Sequence, residues 1–185
     1  MRRIPLLALL AFSFAAYSFP QGAEAQQANR AAANAPRPAR LGDYQSWTAV
    51  SHTEGGQKVC YAFTRARSME GVPGRSADNV MLLVTHRPGG RDQIAVRAGY
   101  SFPRGAETKL FIGQNEFAFF TAGDNSFARD GRAVVAALRA GREAVHRGPG
   151  PNGRGQANDT FALAGFTQAY EAIGRECPPP APARR

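Results

Sequence analysis

Alternating apolar and polar positions predict β-strands over much of the chain between residues 43 and 128. Residues 58–65, KVCYAFTR, place Val59, Tyr61 and Phe63 on one face, and a period of two residues is typical of a strand with one buried face. Residues 44–52 precede this segment across a glycine-containing turn, so the two strands are expected to form a hairpin. The run VMLLV at residues 80–84 is apolar throughout and predicts a central strand that is covered on both faces.

Shorter patterns continue this series toward the C-terminus. Gly113-Gln114 separates two apolar segments and predicts a short hairpin turn. Further strands are expected at residues 93–101, 108–112, 115–121, 144–146 and 160–164, with a polar loop at 67–79. Four phenylalanines near this turn are expected to supply much of the bulk of the core: Phe111, Phe117, Phe119 and Phe120.

Two segments follow the helical period instead. Asp130 is a suitable N-cap for a helix that runs to about Ala140 and ends at Gly141. Apolar side chains spaced by three and four residues over 166–175 predict a second helix near the C-terminus. Because strands do not alternate regularly with helices, the pattern predicts a mainly β fold. The expectation is a single antiparallel β-sandwich or barrel-like domain with two short helices, the second at the C-terminus.

The two ends of the chain differ in composition from this body. A basic start at Arg2 and Arg3, an apolar run over residues 4–18 and the triplet Ala23-Glu24-Ala25 predict a signal peptide over residues 1–25. An uncleaved anchor is the alternative. An Ala/Pro/Arg-rich flexible linker is expected at 26–42, the domain at 43–177 and a proline-rich tail at 178–185. The domain is therefore expected in the periplasm, the outer envelope or outside the cell, with no transmembrane segment after signal cleavage.

Cys60 and Cys177 are the two cysteines of the chain. An even number of cysteines in an exported protein predicts a disulfide, and two cysteines allow one intramolecular pairing. This bond would attach the C-terminal helix to an early strand. A catalytic thiol or a metal ligand is the alternative, although the chain has no C-x-x-C spacing.

The basic charge directs attention to anionic partners. Without Arg2, Arg3 and Glu24 the chain keeps 21 basic and 13 acidic residues, a net charge of +8, which favours binding to anionic envelope or host-surface components. Export disfavours a nucleic-acid partner. The candidate contact residues are four arginines around the first helix end and the following loop: Arg139, Arg142, Arg147 and Arg154. A second group at Arg65, Arg67 and Arg75 is considered with them, and solvated arginines without a partner are the alternative for both.

Catalytic and cofactor motifs are sparse. The chain has no H-E-x-x-H and no G-x-S-x-G, and His52, His86 and His146 are interpreted as surface or strand-edge residues. Gly148, Gly150 and Gly153 match G-x-G-x-x-G, but prolines at two of the variable positions remove N–H donors that a phosphate needs, and no helix is expected to follow. Residues 146–155 are therefore predicted to form a long, exposed, basic hairpin loop, and no cofactor or metal is expected.

Several segments together resemble the invasion-associated locus B family of exported alphaproteobacterial proteins. They are VCYAFT at 59–64, VTHRP at 84–88, VRAGYSF at 96–102, ALRAG at 137–141, GRG at 153–155, and ANDTFALAGFTQAYEAI at 157–173 followed by the terminal EC. The resemblance implies a mostly β fold in the periplasm or outer envelope, a link to host-cell invasion in some pathogenic members, and no established enzymatic activity.

Three hypotheses about function follow from these observations. The first is a non-enzymatic envelope protein that acts by binding an envelope or host-surface partner. The second is a periplasmic hydrolase whose site is assembled in the fold from dispersed histidine, aspartate and glutamate residues. The third is a purely structural or chaperone-like envelope protein.

Overall fold

Ten antiparallel strands and two helices make up the computed structural model, which describes residues 38–180. The strands are β1 (Ala39–Tyr44), β2 (Trp47–Glu54), β3 (Gln57–Glu70), β4 (Met81–Arg87), β5 (Gly90–Arg97), β6 (Glu107–Ile112), β7 (Asn115–Ala122), β8 (Asn125–Ala128), β9 (Glu143–Pro149) and β10 (Gln156–Ala162). The helices are α1 (Gly131–Ala140) and α2 (Phe166–Glu176). The predicted signal peptide, residues 26–37 of the predicted linker and the last five residues lie outside the described part of the chain.

The sheet closes into a barrel through the long strand β3. Neighbouring strands follow the order β3-β10-β9-β6-β7-β8-β5-β4, and β4 pairs again with β3. The first half of β3 pairs with β2, and the second half of the same edge pairs with β10. β1 and β2 therefore extend the sheet beyond the eight-stranded barrel. The predicted mainly β, barrel-like fold with a C-terminal helix is confirmed.

Each helix begins after a residue whose side chain or backbone suits the start of a helix. The Asp130 carboxylate accepts a hydrogen bond from the Ala133 N–H at 3.0 Å, which satisfies one of the free donors of the first turn of α1. Gly165 precedes α2 with φ 92°, and a Cβ there would lie 1.8 Å from the carbonyl oxygen of Tyr44. Both the left-handed backbone and the close approach to the strand end require glycine.

The C-terminal helix is attached to the barrel at both of its ends. At its start, the Phe166 ring packs edge-on against Trp47 with centroids 4.9 Å apart. At its end, Cys177 forms the predicted disulfide with Cys60 of β3, with the two Cα atoms 6.0 Å apart. Phe166, Ala169 and Ile173 face the core, as the spacing predicts.

Several predictions of which strand face is buried are wrong, because closure of the barrel decides which face is interior. On β3 the small Ala62 is fully buried, whereas Tyr61 and Phe63 point outward and are half-buried. Interior and exterior residues alternate along each barrel strand, so the burial of Ala62 turns its neighbours Tyr61 and Phe63 to the outer face. By the same alternation Phe119 lies in the core, whereas its neighbour Phe120 on β7 and Phe111 on β6 face outward.

The boundaries of some elements also differ from the predictions. β3 continues to Glu70 and takes in the start of the predicted loop at 67–79. β1 covers residues 39–42 of the predicted linker. The run at 80–84 is fully covered only on the side of Leu82 and Val84, because Met81 and Leu83 face outward. The four-residue strand β8 has no counterpart in the predictions, since it is too short for a period to be recognised.

In the described part of the chain, neither helix has the length and apolarity that a membrane crossing requires.

Candidate functional site

Three polar side chains lie in line inside the barrel on adjacent parts of the sheet. Ser126 Oγ is 3.0 Å from His146 Nε2, and His146 Nδ1 is 3.9 Å from Asp159 Oδ2. His146 and Asp159 are direct partners in the register of β9 and β10. All three residues are 0% exposed. Their order resembles a nucleophile, base and orienting acid, which is the arrangement that a hydrolase needs.

A buried arginine, Arg75, lies beside this group and neutralises the charge of the Asp159 carboxylate. Arg75 Nη1 donates to Asp159 Oδ1 at 2.6 Å, with the two side chains 2% and 0% exposed. The same guanidinium donates to the carbonyl oxygens of Glu70, Val72 and Ala98. Because Arg75 comes from the loop after β3, these contacts hold that loop across one end of the barrel. The interpretation of Arg75 as a solvated surface residue is therefore wrong.

The buried group does not have the properties of a catalytic site. Burial lowers the pKa of His146, although the Asp159 carboxylate beside it acts in the opposite direction. The Nδ1–carboxylate distance of 3.9 Å exceeds a hydrogen bond, and none of the three side chains is exposed to solvent. A substrate cannot reach the Ser126 hydroxyl, so the hydrolase hypothesis has no support from this group.

A second buried histidine joins the barrel to the C-terminal helix. His86 is 0% exposed, and its Nδ1 accepts a hydrogen bond from the Asp92 N–H at 3.3 Å. The Tyr170 hydroxyl of α2 donates to Asp92 Oδ1 at 2.6 Å. Burial is the main cause that lowers the pKa of His86 to about 4. The prediction of surface histidines is thus wrong for His86 and His146, while His52 remains partly exposed beside Glu54.

The four candidate contact arginines are exposed, and none forms an ion pair with another residue of the described range. The structure brings two of them together, because Arg142 and Arg147 line one concavity of about 490 Å³ at the end of α1 and the outer face of β9. Arg139 instead lies 4.8 Å from the ring centroid of Tyr170. Arg154 lies in the connection between β9 and β10.

An aromatic ring organises the concavity that Arg142 and Arg147 share. The Arg147 guanidinium lies 4.6 Å from the centroid of the Phe111 ring, a cation–π distance. Glu143 lines the same concavity but is engaged by Arg67 at 3.0 Å. The two guanidinium groups can therefore donate hydrogen bonds to an external carboxylate, phosphate or sulfate. The paired oxygens of such groups match the parallel N–H donors of arginine. We call Arg142, Arg147 and Phe111 the arginine site.

The glycine loop is shorter and less exposed than predicted. β9 continues to Pro149, and Gly148 and Gly150 are buried. The Gly150 N–H donates to the Gly155 carbonyl at 3.1 Å, so the connection folds back on itself. No α-helix begins at Gly153, because the chain passes through a short 3₁₀ turn into β10. These features do not fit a dinucleotide-binding loop.

A family model and a solved structure are similar to this chain. The family model described as invasion associated locus B (IalB) protein matches residues 47–174. The chain belongs to this family. Invasion associated protein B from Bartonella henselae, known from a crystal structure, is similar to this IalB family member at 18% identity and a TM-score of 0.49, over 73% of this chain and 95% of that chain. No curated protein matches this family member. Within residues 38–180 it has no group of three or more histidine, cysteine, aspartate or glutamate side chains arranged to hold a metal ion.

Proposed function

We propose that this protein is an exported, non-enzymatic envelope protein that binds an anionic component of the envelope or of a host-cell surface through the arginine site. The observation that carries the proposal is the pairing of Arg142 and Arg147 in one concavity without a carboxylate partner in the described part of the chain. The basic start, apolar run and A-x-A triplet at the N-terminus support export.

The environment of the arginine site favours an external anion over a purely solvated surface. Most other basic side chains of the barrel are paired with a carboxylate, as Arg97 is with Asp124 at 3.0 Å and Arg65 is with Asp78 at 3.0 Å. Arg147 is held by Phe111, so less side-chain entropy is lost when its guanidinium meets a ligand. The family description supports a host-surface role. The probes below are envelope components, because the same arginine chemistry would bind them.

The test is binding to lipopolysaccharide and to vesicles of anionic phospholipid over a salt series. The double variant Arg142→Gln/Arg147→Gln should lose about 2 kcal/mol of binding free energy, or about thirtyfold in affinity, at about 1 kcal/mol for each arginine near an anionic surface. The matched control is Arg139→Gln/Arg154→Gln, which removes the same charge elsewhere. The proposal fails if binding is absent at low salt, if salt does not weaken it, or if the control loses as much as the test variant.

A further inference from the structure

The outer face of β9, β6, β7 and β8 carries aromatic rings and cations together. In the register, Lys109 of β6 lies opposite Arg147 of β9 on one side and Ala118 of β7 on the other. Phe120 of β7 lies opposite Phe127 of β8. Six side chains of this surface form what we call the basic aromatic face: Lys109, Phe111, Phe120, Phe127, Arg129 and Arg147.

Phe120 marks the side of this face that is remote from the arginine site. It is 44% exposed and is the one large hydrophobic side chain exposed to this degree within residues 38–180. Its ring stacks on Phe127 with centroids 5.6 Å apart. The Arg129 guanidinium lies 5.9 Å from the Phe120 centroid. The arrangement of Arg147 and Phe111 is therefore repeated by Arg129 and Phe120.

The two arginine–aromatic pairs lie on opposite sides of the basic aromatic face. β9 and β8 are separated by three strand intervals, which at roughly 4.8 Å each corresponds to about 14 Å. Ala118 lies between the two pairs, and its small side chain leaves the surface next to Lys109 open. A concavity of about 390 Å³ covers the arginine-site half of the face, from Arg147 and Phe111 to Ala118, and Phe120 lies beyond it.

This combination identifies the kind of partner. Guanidinium groups bind carboxylate, sulfate and phosphate groups, while a flat aromatic ring packs against the apolar C–H face of a sugar ring. The ion pairs that Lys109 and Arg129 make with Glu116 and Glu107 are exposed, and exposed pairs are weak enough to exchange for an external anion. Phe111 and Phe127 are half-buried, so they offer flat contact area and do not project as a membrane-inserting side chain does.

We infer that the basic aromatic face binds an anionic polysaccharide chain, with sugar rings on Phe111 and Phe120 and acid groups on Arg147, Lys109 and Arg129. This inference rests on the proposed function and specifies its partner, because Arg147 and Phe111 belong both to the arginine site and to the basic aromatic face. A polymer, and not a single sugar, is needed to reach from one arginine–aromatic pair to the other across about 14 Å.

Calorimetric titration of the full chain with defined probes tests this inference. The probes are sulfated glycosaminoglycan disaccharides and hexasaccharides, polyglutamate matched in charge to the hexasaccharide, and phosphatidylglycerol vesicles. The hexasaccharide should bind about tenfold more tightly than polyglutamate and more tightly than the disaccharide. Phe120→Leu keeps an apolar side chain but removes the flat ring, and it should weaken hexasaccharide binding about fivefold without changing polyglutamate binding. Phe63→Leu, a half-buried outward position on β3, is the matched control and should change neither.

The outcomes separate the two proposals. Equal affinity for polyglutamate and hexasaccharide, or an unchanged hexasaccharide affinity in Phe120→Leu, overturns the polysaccharide inference and leaves anion binding at the arginine site intact. Binding to phosphatidylglycerol vesicles but not to hexasaccharide also overturns it and identifies a membrane surface as the partner. If none of the anionic probes binds at low salt, both proposals fail. Equal urea midpoints for the variants and the wild type establish that folding is unaffected.

Discussion

Replacing Arg75 by methionine should destabilise the protein far more than any exposed arginine substitution. The side chain is 2% exposed and its partner Asp159 is 0% exposed, so Arg75→Met leaves a buried carboxylate without its countercharge. Removal of one member of a buried ion pair costs about 3–5 kcal/mol. Domains are typically stable by about 5–15 kcal/mol, so the loss is a large part of the total and corresponds to about 10–15 °C in Tm.

Urea unfolding with the disulfide intact measures this loss. Trp47 is the single tryptophan of the chain and is 1% exposed, which makes its fluorescence a suitable probe of the core. Arg67→Met is the matched control, because Arg67 and Glu143 form an exposed pair with side chains 64% and 53% exposed. Such a pair contributes at most about 1 kcal/mol.

A double-mutant cycle shows whether the loss arises from the ion pair itself. Asp159→Asn removes the charge with little change of shape, so Arg75→Met/Asp159→Asn should be less destabilised than the sum of the single variants by about 1–3 kcal/mol. The reasoning is refuted if Arg75→Met costs no more than Arg67→Met. Additive single variants would also refute it, because they would show that Arg75 acts through its backbone contacts and not through Asp159.

Three further predictions concern the attachment of the C-terminal helix and acid sensitivity. The pKa of His86 is lowered to about 4, so between about pH 6.5 and 4 the unfolded state binds more protons, and stability should fall as the pH falls, by roughly 3 kcal/mol in total. Unfolding of wild type and His86→Phe across this range checks this, since the difference between them should shrink on acidification and a constant difference would contradict it. Cys60→Ala/Cys177→Ala removes a bond that closes a loop with a sequence separation of 117 and should cost about 4–5 kcal/mol in urea unfolding; a cost below about 1 kcal/mol would show that the unfolded chain gains little freedom. Gly165→Ala should destabilise by more than 1 kcal/mol, because its Cβ would meet the Tyr44 carbonyl oxygen at 1.8 Å, whereas Gly74→Ala, with φ 79° and open space around it, isolates the cost of the backbone conformation alone. Equal thermal midpoints for these two glycine variants would count against the close approach.

Local patterns in the sequence determined the elements whose causes lie within a few residues of the chain. The first helix begins after Asp130 because that carboxylate caps it, and the C-terminal helix follows the spacing of Phe166, Ala169 and Ile173. The pairing of Cys60 with Cys177 also followed from the sequence, since two cysteines have one intramolecular choice. The helix starts depend on neighbouring residues and the disulfide pairing on the number of cysteines, so both could be predicted without knowing how the sheet closes.

The tertiary structure decided which side of each strand is interior and which polar groups meet. A period of two residues predicts a strand but does not say which face turns inward, and closure of the barrel placed Ala62 inside and Tyr61 outside. Arg75 and Asp159 are 84 residues apart in sequence, so only the register of the sheet shows that they pair. In the same way Arg147 is joined to Phe111 by the pairing of β6 with β9. The local sequence therefore does not show that Arg75 is buried and Arg147 is exposed. Burial and an ion-pair partner both depend on residues that non-local pairing brings close.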